Sequence, residues 1–411
     1  LRVRPGDKPM LDVSRHAGSD AGAALNQVLT QAHGPELAEL YTTDVLRRLC
    51  TLEPLGAKVA CALDLGAVRA GDRSAPICEL EFEYKSGDPQ ALFALAQAWS
   101  QHGGLWLNTI SKSRRGAMLA AHQAHGHPVK AEHAKLDKRM SGERLLRATL
   151  RSALDQVLGN ASEIASGSTD ADHIHLLRVG LRRLRTALRE LGPLTDGVNA
   201  QWERVLHDVF SRLGEVRDNE TVAQTVRPLL EQAAAPRLEW HTTRATVQPA
   251  EAVRDARFQA ALIGLLAFAL CEMQSLDDTS HGQALNLVCK RLSKLHQQVV
   301  RGGKRFAALP AAEQHQVRKR LKRLRYLAEF VAPLWSEKAA QRYLDHLRPA
   351  QDALGMHNDV AVAAGKFRED AEHHPEALFA AGYLRGYLLT TAAQAHEALK
   401  QVAEARRFWK S

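Results

Sequence analysis

The chain has 411 residues, 45% of them hydrophobic and 25% charged, which supplies packed cores for two or more domains and excludes a disordered polyelectrolyte. Lysine and arginine outnumber aspartate and glutamate by 55 to 46, so a polyanion is a better partner than a basic surface. Five cysteines, Cys50, Cys61, Cys78, Cys271 and Cys289, are odd in number and without C-x-x-C spacing; they argue against a disulfide framework or a zinc site and fit a reducing cytoplasm.

The chain opens LRVRPGDKP, with neither an initiator methionine nor a signal-like apolar segment, and is expected to be the remainder of a longer protein. Residues 1–120 mix short alternating segments with turns, an α+β composition. In ICELEFEYKSGD, period-two alternation places Glu79, Glu81, Glu83 and Lys85 on one face of a strand and Leu80, Phe82 and Tyr84 on the other. A helix is expected in PQALFALAQAWSQHG, and LWLNTISKSRRG reads as a further strand closed by Gly116. Residues 121–141 turn to His, Gly, Pro and Lys, the composition of a linker. His122, His125, His127 and His133 lie there at spacings that suit no fixed metal constellation.

From residue 142 onward almost every segment has helical period. The longest apolar run, residues 260–271 (AALIGLLAFALC), is shorter than the roughly 20 residues of a spanning helix, so it is expected as a core helix and no membrane is expected as a partner. The helical part contains an internal repeat: HLLRVGLRRLR from His175 returns as HQVRKRLKRLR from His315. The distant turn returns as well, with Leu213, Gly214 and Asp218 answered by Leu354, Gly355 and Asp359. One supersecondary unit therefore occurs twice, in about residues 142–272 and 280–411, and two such units commonly pack about a pseudo-twofold axis.

At about 100° per residue, His175, Arg178, Arg182, Arg185 and Arg189 fall within an arc of roughly 80°, a single cationic stripe. Leu177, Leu181, Leu184, Leu188 and Leu191 take the opposite, core-facing side. His315, Arg318, Lys322 and Arg325 repeat the stripe, with Lys319 and Arg323 at its margin. Like charges at this spacing cost roughly 0.2 to 0.5 kcal/mol per pair in an exposed helix, and no long acidic segment exists to line both copies. Guanidinium forks match phosphate oxygens, so the stripes are read as anion-binding. Beside so many cations the two histidines should lose basicity, and Asp218 and Asp359 are read as orienting arginines or capping helices.

These residues resemble the two halves of a CHAD domain, the conserved-histidine α-helical domain, over about residues 141–411, including the closing GYLRGY and FW elements. The resemblance implies two pseudo-symmetric four-helix bundles with a basic central channel that binds inorganic polyphosphate. Carried over, His175, Arg178, Arg182, Arg183, Arg185, His315, Arg318, Lys319, Lys322, Arg323 and Arg325 match the binding helices, with Arg189 extending the stripe. Residues 1–120 resemble the second half of a CYTH domain, the triphosphate-tunnel β-barrel of inorganic triphosphatases. The matching pieces are LRVR, VACALDLGAVRAGDRSAPICELEFEYKSGDPQALFALAQ and SKSRRG. That resemblance implies Mg²⁺ or Mn²⁺ at Glu79, Glu81 and Glu83, and triphosphate at Arg2, Arg4, Lys85 and Lys112. The hallmark E-x-E-x-K strand of this family would lie ahead of Leu1.

The expected fold is therefore mostly α, with a partial tunnel domain, a linker and two four-helix bundles. Three functions remain open: a polyphosphate-binding protein with an attached tunnel domain that has lost activity, a metal-dependent triphosphatase whose helical domain holds substrate, and a nucleic-acid-binding protein. Aromatics are only 5% of residues and none interleaves a stripe before Tyr326, which disfavours base stacking. A cytoplasmic location, with polyphosphate granules as one setting, follows from the first two readings.

Overall fold

The computed structural model describes residues 13–31, 39–102, 104–236, 248–271 and 280–410. The chain divides into two compact units, one formed by residues 1–50, 62–81 and 111–124, the other by residues 51–61, 82–110 and 125–411. The only sheet among the described residues has three strands, β1 (Thr42–Leu52), β2 (Lys58–Ala70) and β3 (Arg73–Ser86), in the order β1-β2-β3. Short connections make neighbouring strands antiparallel. The β2–β3 turn uses Gly71 at a φ of 59°, a conformation that costs glycine nothing. Within the first unit a helix, α1 (Asp20–Gln31), precedes the sheet, and Gly66 of β2 passes so close to the Asp44 backbone that any β-carbon would collide with it.

Helix α2 (Gln90–Ser100) forms where expected. The strand expected in LWLNTISKSRRG does not: residues 105–111 have no ladder partner, and residues Lys112–Ala120 form helix α3. Ser111 caps that helix, its Oγ accepting the Arg114 N–H at 3.1 Å. The preceding backbone bonds to side chains instead of a strand, Leu107 N–H to Gln259 Oε1 at 2.8 Å and Thr109 N–H to Ser162 Oγ at 3.0 Å. Residues 121–141 carry no regular element but are pinned along the next helix. Asn160 exchanges hydrogen bonds with the Val129 backbone, Ser152 donates to the Glu132 carbonyl, and Ala134 is buried.

The remaining helices form two closed rings. The first comprises α4 (Gly142–Ala165), α5 (Ala171–Leu191), α6 (Ala200–Gln232) and α8 (Ala256–Leu270), with the short α7 (Pro249–Arg254) ahead of α8. The second comprises α9 (His281–Lys304), α10 (Ala311–Val331), α11 (Glu337–Asp370) and α12 (Ala377–Glu404). Matching helices have matching lengths: 24 residues in α4 and α9, 21 in α5 and α10, 33 in α6 and 34 in α11. Both 21-residue helices stop at a proline, Pro193 or Pro333, whose ring cannot continue the α-helical ladder and leads into a 3-10 turn. The apolar faces of both rings share one core, to which Leu177, Leu181, Leu184, Leu188 and Leu191 all contribute as expected. The apolar run at 260–271 is the buried helix α8, and no helix among the described residues is long and apolar enough to cross a membrane.

Candidate functional site

The stripes of the two repeats meet where α5 packs on α10. Two reciprocal ion pairs cross this contact, made by the equivalent arginines of the two repeats: Arg183 to Glu329 at 3.3 Å and Arg323 to Glu190 at 3.3 Å. Each copy thus supplies an arginine to the other copy's glutamate. Arg183 also lies 4.8 Å from the centre of the Phe330 ring, and burial pushes its guanidinium below its ordinary range. These two arginines hold the repeats together as well as adding charge.

The rest of the stripe lies among α5, α10, α6 and α11, which pack on one another in turn. Lys322 is half-buried there, and its ammonium is pushed down to about 6 by burial and by Arg182, Arg318 and Arg325, with Asp359 opposing them. His315 is lowered by burial and by Lys319, Arg318 and Lys322, against a 3.1 Å hydrogen bond between its Nδ1 and Asn358 Oδ1. Asn358 in turn donates to Asp359 at 3.3 Å. Arg185 and Arg189 share Glu203, and Arg325 lies 3.5 Å from Glu329. Arg178 is buried, donating to the Leu213 carbonyl at 3.4 Å. His175 is half-buried on the same face, and Lys319 is exposed.

Two contributors lie on α6 and have no counterpart in the stripe sequence. Phe210 sits 4.7, 5.6 and 6.0 Å from the guanidinium carbons of Arg178, Arg182 and Arg185, so an aromatic ring does back the stripe, contributed by a neighbouring helix. His207 is lowered by burial and by Arg185, with Glu203 opposing and Lys319 adding to the effect. The side chain of Asp218 lies outside the described residues.

A second cluster belongs to the first unit. Carboxylate oxygens of Asp64, Glu79 and Glu81 lie within 4.8 Å of one another, a donor set that fits an oxygen-ligated divalent cation. Lys112 reaches all three, at 2.8 Å from Asp64, 2.7 Å from Glu79 and 2.5 Å from Glu81. Burial alone would lower its ammonium; the three carboxylates outweigh burial and raise it. Arg47 pairs with Asp64 and Glu81, and Arg115 with Glu79. The Arg47 hydrogen bond, with help from Lys112, overcomes burial and brings Asp64 down to about 2. Three carboxylates are thus matched by three cations. Glu79 and Glu81 occupy the cluster with Asp64, a lone acid in the apolar strand β2. Glu83 instead pairs with Lys85 at 2.6 Å, towards the end of β3. Arg2 and Arg4 lie outside the described residues.

Comparison with known proteins gives a separate line of observation for each part. Over 87 residues of the N-terminal part the chain is 33% identical to an inorganic triphosphatase of Haemophilus influenzae, a match covering 21% of this chain and 25% of that protein. The chain thus spans about a quarter of the length of this curated relative. The crystal structure of the CHAD domain from the plant Ricinus communis superposes with a TM-score of 0.51 at 27% identity, covering 69% of this chain and 99% of that one. The CHAD domain family matches residues 148–368, which include both cationic stripes, all of α6 and nearly all of α11, and the chain belongs to that family.

Proposed function

We propose that this protein binds inorganic polyphosphate along the stripes of α5 and α10. The observation that carries the reading is the enclosure of Lys322 beside Arg182, Arg318 and Arg325, cations from both repeats crowded into one half-buried place. Such crowding costs free energy in the free protein, and a chain of phosphates removes the cost by accepting from all of them. A continuous polyanion suits a site built from two stripes better than a single phosphate does. Nucleic acid suits it less well, because the ring nearest the stripe, Phe210, is covered by guanidinium groups and offers no open stacking platform. A cytoplasmic setting with access to polyphosphate granules fits this ligand.

The N-terminal cluster supports a second role, metal-assisted triphosphate handling. Asp64, Glu79 and Glu81 would hold Mg²⁺ or Mn²⁺, whose chemistry is to neutralise charge on phosphoryl oxygens. Lys112, with Arg47 and Arg115 beside it, would then be released from the carboxylates to meet phosphate.

The test of the main reading is equilibrium binding of long-chain polyphosphate at several salt concentrations. Affinity is expected to fall steeply with salt as condensed counterions are released. Arg182→Glu combined with Lys322→Glu should weaken binding by about 100-fold or more, since two charge-assisted contacts become repulsions. Unchanged affinity in that double variant would remove the stripe assignment. Displacement of polyphosphate by DNA at equal phosphate concentration would favour nucleic acid.

A further inference from the structure

The end of α9 and the end of α12, with the residues that follow it, border an open pocket of about 670 Å³ that includes none of the stripe residues. Its size is that of a small-molecule site. Five cations, Arg301, Lys304, Arg406, Arg407 and Lys410, line it against one carboxylate, Glu404. Among the described residues none of the five is engaged in an ion pair.

The floor is built from buried polar groups. His296 is only 5% exposed, and its Nδ1 lies 3.0 Å from the hydroxyl of fully buried Tyr343. Burial raises the Tyr343 hydroxyl well above the phenol range, so it keeps its proton and can donate to Nδ1 or accept from it. The imidazole is held in place by Tyr343 and by an edge-to-face contact with Trp409. Burial, with Arg407 and Lys410, pushes His296 down to about 4, so the ring is uncharged at neutral pH.

The internal repeat supplies a comparison within the molecule. With α4 and α9 aligned end to end, His296, Arg301 and Lys304 correspond to Val157, Ser162 and Ala165. That face of the first repeat is covered by the chain itself: Thr109 bonds to Ser162, and Trp106 and Leu107 pack on the core. In the second repeat the segment after α12 packs on α9 instead, Trp409 donating to Ser293 Oγ at 2.9 Å and lying against His296, and it leaves Arg301 and Lys304 exposed. Ser162 and Ala165, buried in the first copy, are replaced in the second by two exposed cations, Arg301 and Lys304.

We propose that this pocket is a second anion site, taking a small, multiply charged phosphorylated anion separately from the polymer on the stripes. Guanidinium and ammonium groups from α9 and from the segment after α12 would bind its oxygens, and His296, in the tautomer with its proton on Nε2, would donate to it from below.

The experiment titrates the protein with inorganic pyrophosphate and with ADP, followed by calorimetry and by the ring resonances of His296. Binding should raise the His296 pKa from about 4, because the anion offsets Arg407, Lys410, Arg301, Lys304 and Arg406, which Glu404 alone does not. Arg301→Gln with Lys304→Gln, both on an exposed surface, should weaken binding by about tenfold or more. Arg182→Glu with Lys322→Glu, which addresses the stripes, should leave the affinity read from the His296 resonances within about twofold. Equal binding of both probes assigns recognition to the phosphoryl groups, and preference for ADP adds the nucleoside; either supports the site. The proposal is overturned if neither probe binds, or if the α9 double variant binds within about twofold of the parent.

Discussion

Lys322 connects burial, charge and ligand at a single atom. With its ammonium at about 6, it is largely neutral at pH 7 in the free protein, because burial and the neighbouring arginines outweigh Asp359. A bound polyanion reverses that balance, so binding near pH 7.5 should take up close to one proton. Affinity should therefore rise as pH falls from 8 towards 6. Calorimetry in buffers of different ionisation enthalpy reads the uptake directly, and Lys322→Met should remove most of it; unchanged uptake in that variant would contradict the assignment. The same shift acts on folding. Between about pH 6 and pH 10 the unfolded chain binds a proton that the folded protein does not, so the cost Lys322 imposes on stability shrinks as pH rises through that range.

At the scale of elements, the reciprocal ion pairs fix how α5 meets α10. Arg183 and Glu190 are buried, so removing the partner of either leaves a charge with little access to water. Glu329→Gln or Arg323→Met should each cost about 1–3 kcal/mol in urea unfolding. Arg183→Met combined with Glu329→Leu should cost less than the sum of its single variants, since no orphaned charge remains. Strict additivity would mean that the pairs do not couple the repeats. Their position also explains why the stripe does not fly apart: glutamates on the same two helices, and Glu203 on α6, neutralise its margins while its middle stays cationic.

For the whole molecule, the question is whether the first unit performs chemistry. Lys112, Arg47 and Arg115 already satisfy Asp64, Glu79 and Glu81, and a divalent cation must displace the ammonium to reach them. Phosphoryl transfer depends on charge neutralisation from several sides at once. This chain is therefore expected to release little phosphate from tripolyphosphate with Mg²⁺ or Mn²⁺, no more than its Glu81→Gln variant. Turnover that vanishes in the variant would overturn this expectation and make the protein an enzyme. Polyphosphate binding in the second unit is expected to be indifferent to Glu81→Gln, which separates the two roles.

Periodic and repeated features were legible in the order of the amino acids. Helical period marked α8 and the leucine face of α5, and the return of the His-led basic motif foretold two matching sets of helices, because both signals depend on spacing along one chain. Alternation marked β3 and put Glu79 and Glu81 on one face for the same reason. Which groups meet across elements depended on how those elements pack. Asp64 joins the glutamates from β2, Phe210 and His207 join the stripe from α6, and Arg183 and Arg323 turn to glutamates of the opposite repeat. Residues 105–120 show the limit most clearly. Their apolar and β-branched residues suit a strand, but a strand needs a ladder partner; this segment finds the side chains of Gln259 and Ser162 instead, and a serine cap then starts α3.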